Sequence, residues 1–271
     1  MIPLNEDSLV EKLVYRLIKK HVAGTTMNSA IVKVQEFNKN NMLASIVFLS
    51  GRVETKVKAR YVTTTYIELI RRISRMGLKS VVQIPIGQIG GAIDEEFASG
   101  NLSEIIDAGN KYGVFIWAAI NGSQKEATVA KQHKHAKGFG IAAPYGKVAE
   151  LVDKWHIKAV KIIFDDKDMG ELKAMADAVR LACAHASTVV LYHPPEKLVG
   201  KELQKVQKQV VMEFGLGHDR KRLRKLLERS NRISVSIPFG KDWTSYAMEI
   251  VPEGKTHFIV ESLLRGEGQV A

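Results

Sequence analysis

The stretch 159–192, AVKIIFDDKDMGELKAMADAVRLACAHASTVVLY, decides the fold. It opens on a short apolar run, 159–164, continues through a segment (168–185) whose apolar residues recur at helical spacing, and closes on a second apolar run, 188–192. Strands that are apolar on both faces and joined by helices form parallel sheets, because each right-handed crossover lays a helix over them. Working outward, the same unit recurs along the chain. Eight apolar runs follow one another at 43–49, 80–84, 114–119, 139–142, 159–164, 188–192, 210–214 and 233–237. The segments between them, among them 61–76, 146–154, 168–185 and 220–229, have helical spacing and enough length to cross back over a sheet. Eight such units predict closure into an α/β barrel of the (βα)8 type, with an open doubly wound sheet as the alternative. In such a barrel the working residues sit at the carboxyl ends of the strands.

The first 40 residues read as helix. Leu9, Leu13, Leu17 and Ile18 recur at helical spacing, and after the break at 21–26 a second amphipathic stretch runs from Met27 to about Asn38. The expected organisation is therefore a helical segment over 1–40, two helices packed on the barrel, and the barrel itself over 41–271. At 271 residues the chain has the length one barrel uses, and no Gly-, Ser- or Pro-rich linker cuts it.

Composition narrows the function classes. With 45% apolar and 25% charged residues the chain can bury a core without disulfides or metals. The single cysteine, Cys183, excludes a disulfide within the chain and fits a reducing compartment. No apolar run reaches the roughly 18 to 20 residues needed to span a bilayer, and Glu6 and Asp7 are unlike a signal sequence, so the expected location is the cytoplasm. His133 and His135, two apart, do not make a ligand pair, and no metal site is expected. Gly87-Gln88-Ile89-Gly90-Gly91 matches neither a dinucleotide nor a Walker fingerprint and reads as a turn.

The formal charge of +11 favours anionic partners. The densest basic run is 220–229, where Arg220, Lys221, Arg222, Arg224 and Lys225 form an outward strip on a helix and Leu223, Leu226 and Leu227 face the barrel. Further clusters are Arg71, Arg72 and Arg75, the stretch 131–137, and Lys197, Lys201, Lys205 and Lys208. Such faces suit a phosphate-rich partner, RNA or the ribosome first, although no aromatic stacking ladder accompanies them. A solvated outer helix accounts for the same pattern.

Three motifs go beyond periodicity. They are Val22-Ala23-Gly24-Thr25 followed by a helix and the 37–45 approach to the first strand, the strand Lys158-Ala159-Val160-Lys161-Ile162-Ile163-Phe164, and Ile237-Pro238-Phe239-Gly240-Lys241-Asp242-Trp243-Thr244-Ser245-Tyr246. In order and spacing this set resembles the proline dehydrogenase family, with weaker similarity from about Lys20 to Glu253. The resemblance implies a flavin-containing (βα)8 barrel with FAD across the carboxyl ends of the strands, removing hydride from L-proline to give pyrroline-5-carboxylate. Carried over position by position, it assigns catalytic roles to Lys161 and Tyr246 and cofactor contacts to Lys158, Lys161, His193 and Glu253.

The departures from the family pattern are as informative. The two arginines that would grip the proline carboxylate are Glu249 and Ile250 here. Losing two charged hydrogen-bond donors is worth roughly 3–6 kcal/mol. The lysine ending the second strand is Pro85, the third-strand aspartate is Trp117 and the fourth-strand glutamine is Ala143. Lys158 replaces an arginine, and Phe164 and Ser236 replace tyrosines. The expected function is thus a barrel that has lost efficient proline oxidation and serves as a basic binding or scaffold protein on RNA or the ribosome. The alternatives are an FAD-dependent oxidoreductase of this type, with proline or an amine lacking a carboxylate as substrate, and the inactive subunit of a hetero-oligomer with a catalytic paralogue.

Within the motifs, Lys161 in an otherwise apolar strand is either an anion or flavin contact or the partner of Asp165 or another barrel-top carboxylate. His193, before Pro194-Pro195, is either aimed at a site or a solvent-facing turn residue. Asp165 and Asp166 suit acid–base or metal roles, or helix capping.

Overall fold

The computed structural model describes residues 19–121, 123–164, 171–195, 198, 210–216 and 232–242. Eight parallel strands close into one barrel in chain order: β1 (Leu43–Phe48), β2 (Ser80–Pro85), β3 (Ile116–Ala119), β4 (Phe139–Pro144), β5 (Ala159–Ile163), β6 (Thr188–Tyr192), β7 (Val210–Gly215) and β8 (Ile233–Phe239). All eight apolar runs are strands, and the pairing of β1 with β8 removes the open-sheet alternative.

The register explains how one strand serves two environments. Alternation sends Ile46, Ile84, Ile141, Val160, Leu191, Val210, Val235 and Ile237 outward, where they join a single buried cluster with the helices. The other set, including Ser45, Gln83, Trp117, Gly140, Ala142, Lys161, Glu213 and Ser234, lies across the pairs that face the interior. Size complementarity fills this interior. A Cβ on Gly140 would come within 2.4 Å of Trp117, so the absent side chain on β4 makes room for the indole of β3.

The helices form for local reasons. Helix α1 (Met27–Lys39) starts at a capping box between Thr26 and Ser29. Helix α2 (Lys56–Arg75) is capped by Thr55 and buries 59, 62, 63, 66, 69, 70 and 73, the spacing of one helical face. Helix α3 (Glu95–Tyr112) is capped by Asp94 and ends at Gly113 in the left-handed conformation, with φ 68°. Helices α4 (Gln124–Gln132) and α5 (Leu172–His185) complete the described set, and Cys183 lies half-buried on α5.

The stretch 146–154 is helical, as its spacing predicts, but irregularly wound: a 3-10 turn at Tyr145–Lys147 runs through Val148 and Ala149 into a π-helix at Glu150–Lys154. Val148, Leu151, Val152 and Trp155 are buried, so this irregular helix covers the sheet at the position where a helix is expected. The 87–91 stretch is a turn, a 3-10 segment at Ile86–Ile89 followed by Gly90 at φ 107°.

Helix α1 packs against both β8 and β1, the place on the outer ring that closes the circle. The segment before it runs along the carboxyl end of the barrel. Ala23 N–H donates to Pro238 O at 2.8 Å, Gly240 N–H donates to Gly24 O at 3.0 Å, and His21 Nδ1 lies 2.9 Å from Leu216 O. The helical part of the 1–40 segment that the structure describes is therefore part of the barrel wall. Residues 1–18, which carry the first expected helix, lie outside the described residues.

Candidate active site

Parallel strands present their carboxyl ends together, and here those ends surround a cavity of about 800 Å³. Its floor and walls combine apolar side chains, among them Val47, Ile163 and Pro238, with a few polar ones: Gln83, Gln88, Asn121, Tyr192 and Ser236. Arg52, Glu54 and Asp242 stand at the opening, where Arg52 pairs with Glu54 at 2.9 Å and Asp242 with Lys58 at 3.6 Å. Both pairs are solvent-exposed and of small energetic weight.

Beneath the floor lies a buried charge pair. Lys161 Nζ donates to Glu213 Oε1 on β7 and to Gln83 Oε1 on β2, and it sits 4.9 Å above the Tyr192 ring. Lys161 is 0% and Glu213 1% exposed. Burial pushes the Lys161 ammonium down from the ordinary lysine range, and Glu213 pulls it back up. Of the two readings of Lys161, the structure has the paired one, with Glu213 as its carboxylate. Neither charged residue lines the cavity; Gln83 and Tyr192 stand between.

Two more polar atoms are enclosed in the interior. Ser45 Oγ and Ser234 Oγ are buried with no hydrogen-bond partner among the described residues.

His193 follows β6 with φ 53°. Its Nε2 accepts the Gly215 N–H at 3.0 Å, and its ring packs edge-on to Tyr192 and Phe214. The histidine thus clasps the ends of β6 and β7, and it is not among the cavity-lining residues.

Lys158 needs correction on geometry. It is exposed and immediately precedes the first residue of β5, so it lies at the amino rim, the barrel's length away from the cavity. Ala143 also misses the interior: it belongs to the outward, helix-facing cluster, and Ala142 and Pro144 are the inward positions on β4. Pro85 and Ser236 do line the cavity, Trp117 is enclosed lower down, and Phe164 stacks on Tyr145.

Tyr246, Glu249, Ile250 and Glu253 lie outside the described residues, as do Asp165, Asp166 and the basic strip Arg220, Lys221, Arg222, Arg224 and Lys225. Of the other basic clusters, Arg72 pairs with Glu68 at 3.0 Å and contacts Asn28, and Lys131 lies over the Trp155 ring. His133 caps the end of α4 and lies 2.9 Å from Ser99 Oγ. Among the described residues no group of His, Cys, Asp or Glu is placed to hold a metal ion, and no helix is long and apolar enough to cross a membrane.

Comparison with known proteins adds to this geometry. No family model matches. The chain is 23% identical over 277 residues to proline dehydrogenase 1 of Bacillus subtilis (strain 168), covering 91% of this chain and 90% of that protein. It is 21% identical over 299 residues to the proline dehydrogenase of Deinococcus radiodurans, covering 96% and 94%. The chain is a divergent relative of the proline dehydrogenases. Solved structures agree on the fold of this proline-dehydrogenase-like barrel. Proline utilization A from Bdellovibrio bacteriovorus superposes with a TM-score of 0.71 at 12% identity, over 96% of this chain and 34% of that one. The corresponding protein from Corynebacterium freiburgense gives 0.64 at 12% identity, over 100% and 36%. The chain spans about a third of those longer proteins.

Three residues of the site were missed in the sequence reading: Gln83, Tyr192 and Glu213. The signal for Glu213 was the one used for Lys161, a charged residue inside an apolar run. Those two are the only charged residues in the eight runs, and they bind each other.

Proposed function

We propose that this chain is a flavin-dependent oxidoreductase of the proline dehydrogenase type, acting on an amine that carries no carboxylate. The observation that carries the reading is the cavity at the carboxyl ends of the strands. Its size falls within the roughly 300–1,000 Å³ of small-molecule sites, and its apolar walls with a few convergent polar groups suit a flat, mostly apolar ring. The relatives named above, matched over nine tenths of the chain, support the same chemistry.

The residues present fit FAD: Gln83, Tyr192 and Ser236 at the floor would hold it. When bound, FAD supplies the hydride acceptor for the carbon next to an amine nitrogen. The chain's own part is to bind and orient. Val47, Ile163 and Pro238 exclude water from the walls, and the Lys161–Glu213 pair fixes Gln83 from below. The substrate class rests on Glu249 and Ile250, which occupy the positions where the family resemblance asks for a carboxylate-gripping pair of arginines.

The experiment is an ultraviolet–visible spectrum of purified protein with added FAD, followed by anaerobic addition of pyrrolidine or L-proline. Uptake of FAD and bleaching by pyrrolidine in preference to L-proline is expected. Colourless protein that takes up no FAD refutes it.

A second reading is favoured by the formal charge of +11: a barrel that binds an anionic partner such as RNA. Its mark is RNA affinity that falls steeply as salt rises. Affinity that is absent or insensitive to salt removes it.

A further inference from the structure

We infer that the residue meeting a bound ligand at the cavity floor is Gln83, and that it meets it as a hydrogen-bond donor to a neutral acceptor, a carbonyl oxygen or an unprotonated ring nitrogen. Lys161 acts through it as a positioning residue. The inference rests on the reading of the cavity as the active site.

The orientation of the Gln83 amide follows from its neighbour. A lysine ammonium has only donors to offer, so the glutamine atom facing Lys161 is its oxygen. The Nε2 group is thereby turned away from Lys161. Gln83 lines the cavity, and Nε2 has no partner among the described residues. Turning the amide over would set donor against donor. Glu213 anchors Lys161 in turn, and the Tyr192 ring covers the ammonium on the cavity side. The chain of contacts from Glu213 through Lys161 to Gln83 therefore fixes which end of the amide a ligand meets.

The charge of that ligand atom follows from the same contacts. Lys161 and Glu213 cancel, and both are sealed below the floor. An amide with no net charge behind it suits a neutral acceptor; among the described residues the one cation lining the cavity, Arg52, is paired with Glu54 at the opening, so a carboxylate brought against the amide would lose its hydration without a cation beside it.

The test uses the full-length protein with glutamine side chains labelled with ¹⁵N, titrated with FAD, with the neutral lactam 2-pyrrolidinone, and with L-proline. FAD binding is read by flavin fluorescence and contact at the floor by the shift of the Gln83 side-chain amide signals. FAD affinity is expected to fall about tenfold in Gln83→Met, the weight of one hydrogen bond of this kind. It should fall further in Gln83→Glu, which keeps the shape, still accepts from Lys161, and serves if the methionine variant does not fold. The double variant Lys161→Met/Glu213→Leu leaves the donor in place but frees the amide to turn, so its signals should broaden and FAD affinity should drop only a few-fold. A shift of the Gln83 amide by 2-pyrrolidinone in a protein that takes up no FAD would uphold the floor assignment while sinking the flavin reading. Unchanged affinity for FAD and the lactam in both Gln83 variants overturns the inference. So does an amide signal that no probe moves, or one that L-proline moves more than the lactam.

Discussion

Lys161 of β5 and Glu213 of β7 meet inside the barrel across the intervening strand β6, both fully enclosed. Breaking such a pair strands the surviving charge in a poor solvent, whereas replacing both partners with apolar groups of similar volume leaves nothing unpaired. Lys161→Met or Glu213→Leu alone should lower unfolding stability by about 3–5 kcal/mol. The double variant should recover most of that loss in denaturant melts. Single variants as stable as the parent would show that water reaches the pair.

Trp117 and Gly140 fit each other as a large and a vanishing side chain. Trp117→Ala should cost about 3–5 kcal/mol through lost burial and the hole left behind. Gly140→Val should also destabilise, because its side chain would need the volume the indole occupies; restored stability in the Trp117→Ala/Gly140→Val double variant is the measurement that checks the fit.

Gly240 sits at φ 139°, with space for a Cβ only 2.3 Å from the carbonyl oxygen of Leu49. Gly240→Ala must strain the backbone, worth about 1–3 kcal/mol, and push Leu49 from the rim as well. Gly77→Ala is the control: its φ of 61° is also left-handed, but nothing lies within 4 Å of the added carbon. Thermal melts should rank Gly240→Ala as the less stable of the two.

His21 and His133 both titrate below the ordinary histidine value of 6.5, chiefly because burial disfavours their charged forms. Between that value and their lower folded values the unfolded chain binds more protons, so stability falls as pH drops below about 6.5 and levels off beneath the folded values. Asp94, held down chiefly by Lys56, and Glu104, held down chiefly by Arg60, lose their contributions only at lower pH, from the ordinary carboxylate values downward. Stability measured across the histidine window should be flatter in His133→Gln than in the parent. An unchanged slope would mean the ring is already hydrated.

The barrel was legible because each strand carries its burial in consecutive residues: Ala159 to Phe164 needs no distant partner to be recognised as a buried strand. The site was less legible because its contacts are long-range. Lys161 stood out as a lysine among valine and isoleucine, but Glu213 is 52 positions away and Gln83 is 78, and only closure of the sheet brings them together. Position along a strand was also harder to read than strand identity. Lys158 and Lys161 look alike in the sequence, yet three positions along the strand separate an exposed amino-rim lysine from an interior one. Ala143 faces the helices and its neighbours Ala142 and Pro144 the interior, because alternation reverses the face at each step. At 146–154 the apolar spacing predicts a helix and a helix is there, but its winding passes from 3-10 to π along its length, which the burial of Val148, Leu151, Val152 and Trp155 does not specify.

Helix α1 lies against the last strand as well as the first, and this sets a timetable for folding. Ala30, Ile31 and Val34 are fully sheltered only when β1 and β8 both stand, so the earliest described helix keeps part of a sticky flank unprotected until the latest strand joins. Shortening the chain to begin at residue 41 would leave the seam between β1 and β8 bare, and the product should clump instead of folding as an independent barrel.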